Sequence, residues 1–244
     1  MSRRATALNA TVVYYYRRAI GRLLRLMASN AITLPALNRF YTLFNDRKKS
    51  SFHSHYAKIF RERGVIANGE WTVVFDGKKL RLPLRAMWSW LDWDTAVSII
   101  GHDIEIKQTY AALVKSKQRP GLFLDIGANY GTHSVLFLSA GIPTIAFEPN
   151  PDCFAHFQKI CELNGLIGRW EQVALGNSVG QINLIYPPKD TWLDSVSSAN
   201  TPKTEEDAIV TTTEAPLKRL DDYYLDVISY DKILIKIDVE GFDK

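Results

Sequence analysis

The stretch "FLDIGANYGTHS", Phe123–Ser134, decides how the rest of the chain is read. An apolar run ends on a carboxylate, Asp125, and a loop carrying Gly127 and Gly131 follows at once. The run follows a break at Pro120-Gly121 and suits a buried parallel strand from Leu122 to Ile126. "THSVLFLSAG" after it reads as a helix that closes on Gly141. A strand that becomes a helix within a few residues needs glycine to turn tightly and to let a ligand approach the backbone. The helix begins near Gly131, and helix N-termini offer unpaired N–H groups.

Three ligands compete for such a loop. A phosphate P-loop needs G-x-x-x-x-G-K-[ST], but Thr132 and His133 follow Gly131 and no lysine does. A dinucleotide loop needs G-x-G-x-x-G, and here G-A-N-Y-G lacks the middle glycine, which argues against a nicotinamide-linked oxidoreductase. Asp125 would also repel a pyrophosphate. A carboxylate there suits a cation or a set of N–H and O–H donors. S-adenosylmethionine carries both, as an α-ammonium, a sulfonium and a ribose diol. "TIAFEP" then ends on Glu148, 23 residues after Asp125. An acid at the end of the second strand can accept hydrogen bonds from both ribose hydroxyls, although nicotinamide sites use the same device.

Outward from this stretch the chain alternates. "PDCFAHFQKICELNG" reads as a helix with Pro151 near its start and Gly165 past its end. "WEQVALGN" and "KILIKIDVEG" read as further strands. Strand, helix, strand, helix, strand predicts a mostly parallel sheet with helices on both faces. Between Gly176 and Tyr224 the rhythm changes: "QINLIY" and "AIVTTT" look like strands flanking a long polar loop, Pro187–Asp207. Upstream, Asp76-Gly77 between two apolar runs predicts a hairpin over residues 70–84. Residues 103–118 suit a helix, and Trp88, Trp90 and Trp93 suit packing rather than a ligand platform.

Together "FLDIGANYGTHSVLFLSAG", "AFEPNPDCFAHFQKICELNG", "VALGN" and "ILIKIDVEGFDK" resemble the successive motifs of FkbM-type S-adenosylmethionine-dependent methyltransferases. The likeness spans about residues 101–244 and rests on four motifs in order. It implies a Rossmann-like, doubly wound, mostly parallel α/β sheet of the class I methyltransferase type, with an N-terminal helical and hairpin extension. The family continues past its D-V-E-G motif, so the resemblance implies a sheet truncated after its fourth core strand. It implies that Asp125, Gly127, Asn129 and Gly131, with Ile126 and Ala128 between them, line the methionine side of S-adenosylmethionine. It also implies that Glu148 holds the ribose, that Asn150 lies beside it, and that the Val173-Ala174 turn sits near the adenine.

The chemistry is expected at "IKIDVEG". Ligands bind outside the carboxyl ends of parallel strands. Methyl transfer to a hydroxyl is an in-line displacement that a positioned base assists. Asp238 is the first candidate for base or acceptor-positioner, Glu240 the second, and His133 a competing base. Lys236 should point opposite to its strand neighbours and pair with an acid. No metal is expected: His53 and His55 form H-x-H without a third ligand, and no spacing demands a cluster at Asp238, Glu240 and His133.

The organisation predicted is a basic, mainly helical arm over 1–63, a hairpin and helix lead-in over 64–120, and an S-adenosylmethionine-binding domain over 121–244 with its C-terminal part missing. Residues 1–63 hold 13 Lys/Arg and 2 Asp/Glu, net +11; the remainder holds 17 and 24, net −7. "TVVYYYRRAIGRLLRLMASNAITL" reads as a basic amphipathic helix. It can lie on an anionic membrane through residues 10–30, act as a targeting segment, or pack on the body with a solvated basic face. Arginines break its apolar run, so it is not a secretory signal, and no run of 18 apolar residues predicts a span. Cys153 and Cys161 read as reduced thiols of a cytoplasmic protein. The expected acceptor is a sugar or other small biosynthetic hydroxyl. The alternative is an inactive, truncated module that binds a membrane or a partner through its arm. Nucleic acid is disfavoured, because the body is acidic and N-P-P-[YF] is absent.

Overall fold

The computed structural model describes residues 3–57, 69–84, 93–186, 195–196 and 211–239. Trp88, Trp90, Glu240 and the loop 187–207, apart from 195–196, lie outside the described residues. The chain groups into two compact units, Met1–Val74 with Arg81–Lys107, and Phe75–Leu80 with Gln108–Lys244.

The first unit opens with three helices, α1 (Arg3–Ala28), α2 (Leu34–Thr42) and α3 (Asp46–Tyr56). Asn45 starts α3 by accepting the Lys48 N–H on its side chain, which satisfies one of the helix's orphan donors. Strands β1 (Gly69–Phe75) and β2 (Lys78–Leu84) form the expected hairpin. Asp76 and Gly77 both adopt positive φ, 49° and 75°, the conformation that a two-residue turn between twisted strands demands. Helix α4 (Trp93–Gly101) completes the unit. Its core is aromatic: Tyr41 lies 5.1 Å from Trp71 and 5.4 Å from Phe52, and Trp93 lies 5.6 Å from Phe52 and 5.7 Å from Trp71, ring centre to ring centre. The buried Asn38 amide grips Thr72 from both sides, donating to its carbonyl and accepting its N–H, each at 2.8 Å. That pair fixes α2 against β1.

The second unit is built on two sheets. After α5 (Ile104–Lys115), strand β3 (Leu122–Ile126) leads to α6 (Ser134–Ser139), β4 (Thr144–Phe147), α7 (Pro151–Asn164) and β5 (Arg169–Glu171). A later strand, β10 (Ile233–Ile237), returns to the far side of β3. The resulting sheet is parallel in the order β10-β3-β4-β5. The chain therefore moves outward from β3 in one direction, then in the other, and the strand order reverses between β3 and β10. β10 forms one edge of the sheet among the described residues, and its Ile233, Ile235 and Ile237 are partly exposed.

Alternation along β3 serves two layers. Leu122, Leu124 and Ile126 join Ile145, Phe147, Val173 and Tyr223 in one core. Phe123 faces the other way and stacks on Phe137 of α6 at 4.0 Å, with Tyr110 of α5 at 4.8 Å from Phe137. Asp125 shares the face of Phe123, so its carboxylate is turned toward α6 in a site with no exposed surface.

The expected strand "WEQVALGN" is two strands. Val173 N–H folds back to the Glu171 carbonyl at 2.9 Å, a tight i+2 turn that breaks the run and drops the Val173 side chain into the core. β6 (Ala174–Leu175) then starts a different sheet. With β7 (Gly180–Tyr186), β8 (Ser195–Val196) and β9 (Thr211–Lys218) it has the order β6-β9-β7-β8. β7 and β9 pair antiparallel over Gly180–Tyr186, and β6 joins β9 in parallel. Short α8 (Tyr224–Val227) leads into β10.

Candidate functional site

The strand order reverses between β3 and β10, and open parallel sheets bind ligands beyond the strand ends at such a point. Asp125, Lys236, Asp238, Glu148 and the loop 127–131 gather at this end.

Asp125 and Lys236 are direct partners in the strand register. Lys236 Nζ stands 3.2 Å from Asp125 Oδ1, 3.5 Å from Asp238 Oδ2, and donates to the Gly127 carbonyl at 2.9 Å. Ser134 Oγ, in the first turn of α6, donates to Asp125 Oδ2 at 2.7 Å. Among the described residues Asp125 Oδ1 accepts no hydrogen bond of good geometry, so the link to Lys236 is one of charge proximity. The cation expected to come from a ligand comes from the chain itself, and the carboxylate has no exposed surface to offer one. The pairing of Lys236 with an acid was legible in the sequence. No sequence pattern marks Ser134, which closes the stretch Phe123–Ser134 and stands on the first turn of α6.

The loop after β3 spends its donors internally. Gly127 and Ala128 N–H both reach the Phe147 carbonyl, and Gly131 N–H reaches that of Ala128. Tyr130 N–H is accepted by the Asn129 side chain and Asn129 N–H by Glu148. No N–H from 127 to 131 is left pointing outward, so the loop is not a phosphate cradle. The glycines serve the protein as well as the turn. At Gly127, φ 69°, a side-chain carbon would strike the Asp238 carbonyl; at Gly131, φ 70°, it would strike the Phe157 ring. The close approach foreseen for a ligand is made at these two positions by β10's end and by α7.

Glu148 is buried and holds two backbone segments at once. Its Oε2 accepts Asn129 N–H at 2.9 Å and its Oε1 accepts Asn150 N–H at 3.0 Å. Burial pushes its pKa up from the usual glutamate value, and the two backbone N–H bonds with nearby Lys236 hold it back. Asn129 sits at φ 47°, a left-handed conformation that asparagine tolerates better than most residues. Asn150 caps α7 by accepting Asp152 N–H at 3.0 Å, and it is fully buried. The expected caps at Pro151 and Gly165 are present, with Gly165 at φ 63°.

The remaining candidates are spread out. Asp238 follows β10 directly; its N–H bonds the Ile126 carbonyl at 3.0 Å, and its carboxylate is 73% exposed. That exposure leaves it reachable by a substrate. Glu240 lies outside the described residues. His133 Nδ1 lies 3.1 Å from the Tyr110 hydroxyl, and the rings meet edge to face at 5.7 Å. The imidazole is thus engaged with α5, and Tyr110 is a partner that sequence spacing gave no hint of. Ala174 begins a strand, not a turn, and pairs with Leu217 in the second sheet. His53 and His55 bond Ser98 and the Ser51 carbonyl respectively. Among the described residues no three His, Cys, Asp or Glu side chains gather as metal ligands. Neither Cys153 nor Cys161 forms a disulfide, and burial pushes the Cys161 thiol up to about 12.

Glu148 fits a ribose diol on chemical grounds. Each carboxylate oxygen has two lone pairs, and one on each is taken by a backbone N–H. Among the described residues no other donor takes the remaining two, and hydroxyl donors would suit them. Residues 125–244 match the family model of the methyltransferase FkbM domain. No curated protein matches the chain.

Proposed function

We propose, from the premise that residues 125–244 belong to the methyltransferase FkbM family, that this methyltransferase uses S-adenosylmethionine and methylates a hydroxyl of a sugar or another small biosynthetic intermediate. The observation that carries the reading is Glu148, a buried carboxylate at the end of β4 whose two oxygens each keep a lone pair beside the β3 loop.

In this reading Glu148 holds the two ribose hydroxyls. The Asp125–Lys236 pair acts one step back: it ties the ends of β3 and β10 together and, through the Lys236–Gly127 bond, fixes the loop on which the methionine end rests. S-adenosylmethionine supplies an electrophilic methyl on a sulfonium. Asp238 accepts the proton of the incoming hydroxyl as the oxygen–carbon bond forms and the carbon–sulfur bond breaks. Its solvent-facing carboxylate beside the switch point, with Lys236 Nζ at 3.5 Å, supports that role.

Titration calorimetry with S-adenosylmethionine and S-adenosylhomocysteine tests the cofactor. Binding of both is expected, and Glu148→Ala should weaken it at least about tenfold, the loss of charge-assisted hydrogen bonds. Absence of binding by wild-type protein at near-millimolar ligand, or preferential binding of a nicotinamide dinucleotide, sinks the reading.

A further inference from the structure

We propose that α1 docks the first unit onto an anionic lipid surface, lying in the plane of the headgroups. Helix α1 carries two different apolar stripes. Leu24 and Ala28, one turn apart, are buried in the unit. A second stripe is left in water: Val12, Tyr16, Leu23 and Leu26 are 61%, 67%, 56% and 68% exposed. At 100° per residue these four fall within roughly 80° of arc, away from the packed stripe. Arg18, Arg22 and Arg25 fall within about 60° of arc on the adjoining flank, and the exposed Tyr15 lies between Arg22 and Leu26. The chain carries no Asp or Glu before Asp46.

This layout identifies the occupant. A second copy of α1 would bury the stripe but bring arginines together with no carboxylate on either helix to offset them. A nucleic acid would answer the arginines and leave the stripe in water. An anionic bilayer answers both at once: lipid phosphates and carboxylates face the arginine flank, and the acyl boundary takes the valine, the leucines and the tyrosine ring. Tyr15 stands at the border of the two flanks, where an amphipathic ring favours the headgroup level. No described helix is long and apolar enough to cross a membrane, so the attachment is to the surface.

Co-sedimentation of the full chain with phosphatidylcholine vesicles, with or without about 30% phosphatidylserine, tests it. Anionic vesicles should bind at least about tenfold better, and raising salt should weaken the binding. Arg18→Glu with Arg22→Glu, and separately Leu23→Glu with Leu26→Glu, should each lower it at least about tenfold, with thermal unfolding unchanged because all four positions lie outside the buried core. Equal binding to neutral and anionic vesicles, or no binding to either, overturns the proposal. So does a leucine double variant that binds like wild type, which would leave a plain polyanion site. A dimer in sedimentation velocity that the leucine variant makes monomeric, or displacement of the protein from vesicles by single-stranded DNA at matching charge concentration, overturns it too.

Discussion

Lys236 and Asp125 stand side by side on neighbouring parallel strands, Nζ 3.2 Å from Oδ1, in a site where the aspartate has no exposed surface. Removing one partner leaves an uncompensated buried charge. Lys236→Met should destabilise the fold by about 3 kcal/mol or more, read from urea unfolding. Lys236→Met with Asp125→Asn should recover a large part of that loss, because no ionic charge is then left buried without its partner. A double variant as unstable as the single one would refute the coupling.

Gly127 and Gly165 share a left-handed conformation but differ in what surrounds them. Gly165, φ 63°, has open space where a side chain would go; Gly127, φ 69°, faces the Asp238 carbonyl. Gly165→Ala should cost about 1 kcal/mol, the strain of the conformation alone. Gly127→Ala should cost clearly more, since the end of β10 must move as well. Denaturant midpoints of the two variants order them, and equal losses would show that β10's end gives way freely.

Two buried groups give opposite pH slopes. Glu148 has its pKa raised above the usual 4.5, chiefly by burial. The folded state therefore holds its proton more readily, so its contribution is present below 4.5 and is lost as pH rises through the folded value. His156 is fully buried, and burial lowers its pKa from 6.5 to about 2. Its contribution is present above 6.5 and is lost as pH falls, at about 1.4 kcal/mol per unit. His156→Phe should flatten the acid side of a stability–pH curve, and Glu148→Gln should remove a fall in stability above pH 4.5. Unchanged curves for both would contradict these assignments.

Cys161 is buried with its pKa pushed up to about 12, so it carries almost no thiolate at neutral pH. Ellman's reagent should leave it unmodified in the folded protein and titrate it at once in urea. Rapid native labelling of a Cys153→Ser variant would contradict the burial.

Local chemistry made much of the fold legible. Strand ends marked by Asp125 and Glu148, the Pro151 start and Gly165 stop of α7, and the Asp76-Gly77 turn each follow from one residue's geometry, and each is present. What could not be read depended on partners distant in sequence. The split between β5 and β6 hangs on one Val173–Glu171 bond inside an otherwise strand-like run. The second sheet requires β9 to lie between β6 and β7, a choice that no local pattern encodes. The first 63 residues read as an arm because charge dominates their composition. Within the described part, Tyr41 packs on Trp71 and Phe52 on Trp93, partners tens of residues away. At the site, Asp125 was foreseen as an end-of-strand acid. That its cation would be Lys236 rather than a ligand follows from the register of β10 on β3.

Glu148 also acts as a mechanical clasp. One oxygen holds the amide of Asn129 and the other the amide of Asn150, so the β3 loop and the start of α7 share a single anchor. Neither segment can lift without loading the other's bond. Hydrogen exchange at these two amides should therefore run in step, slow together and open together. A molecule that settles on the carboxylate would quieten both segments in one event.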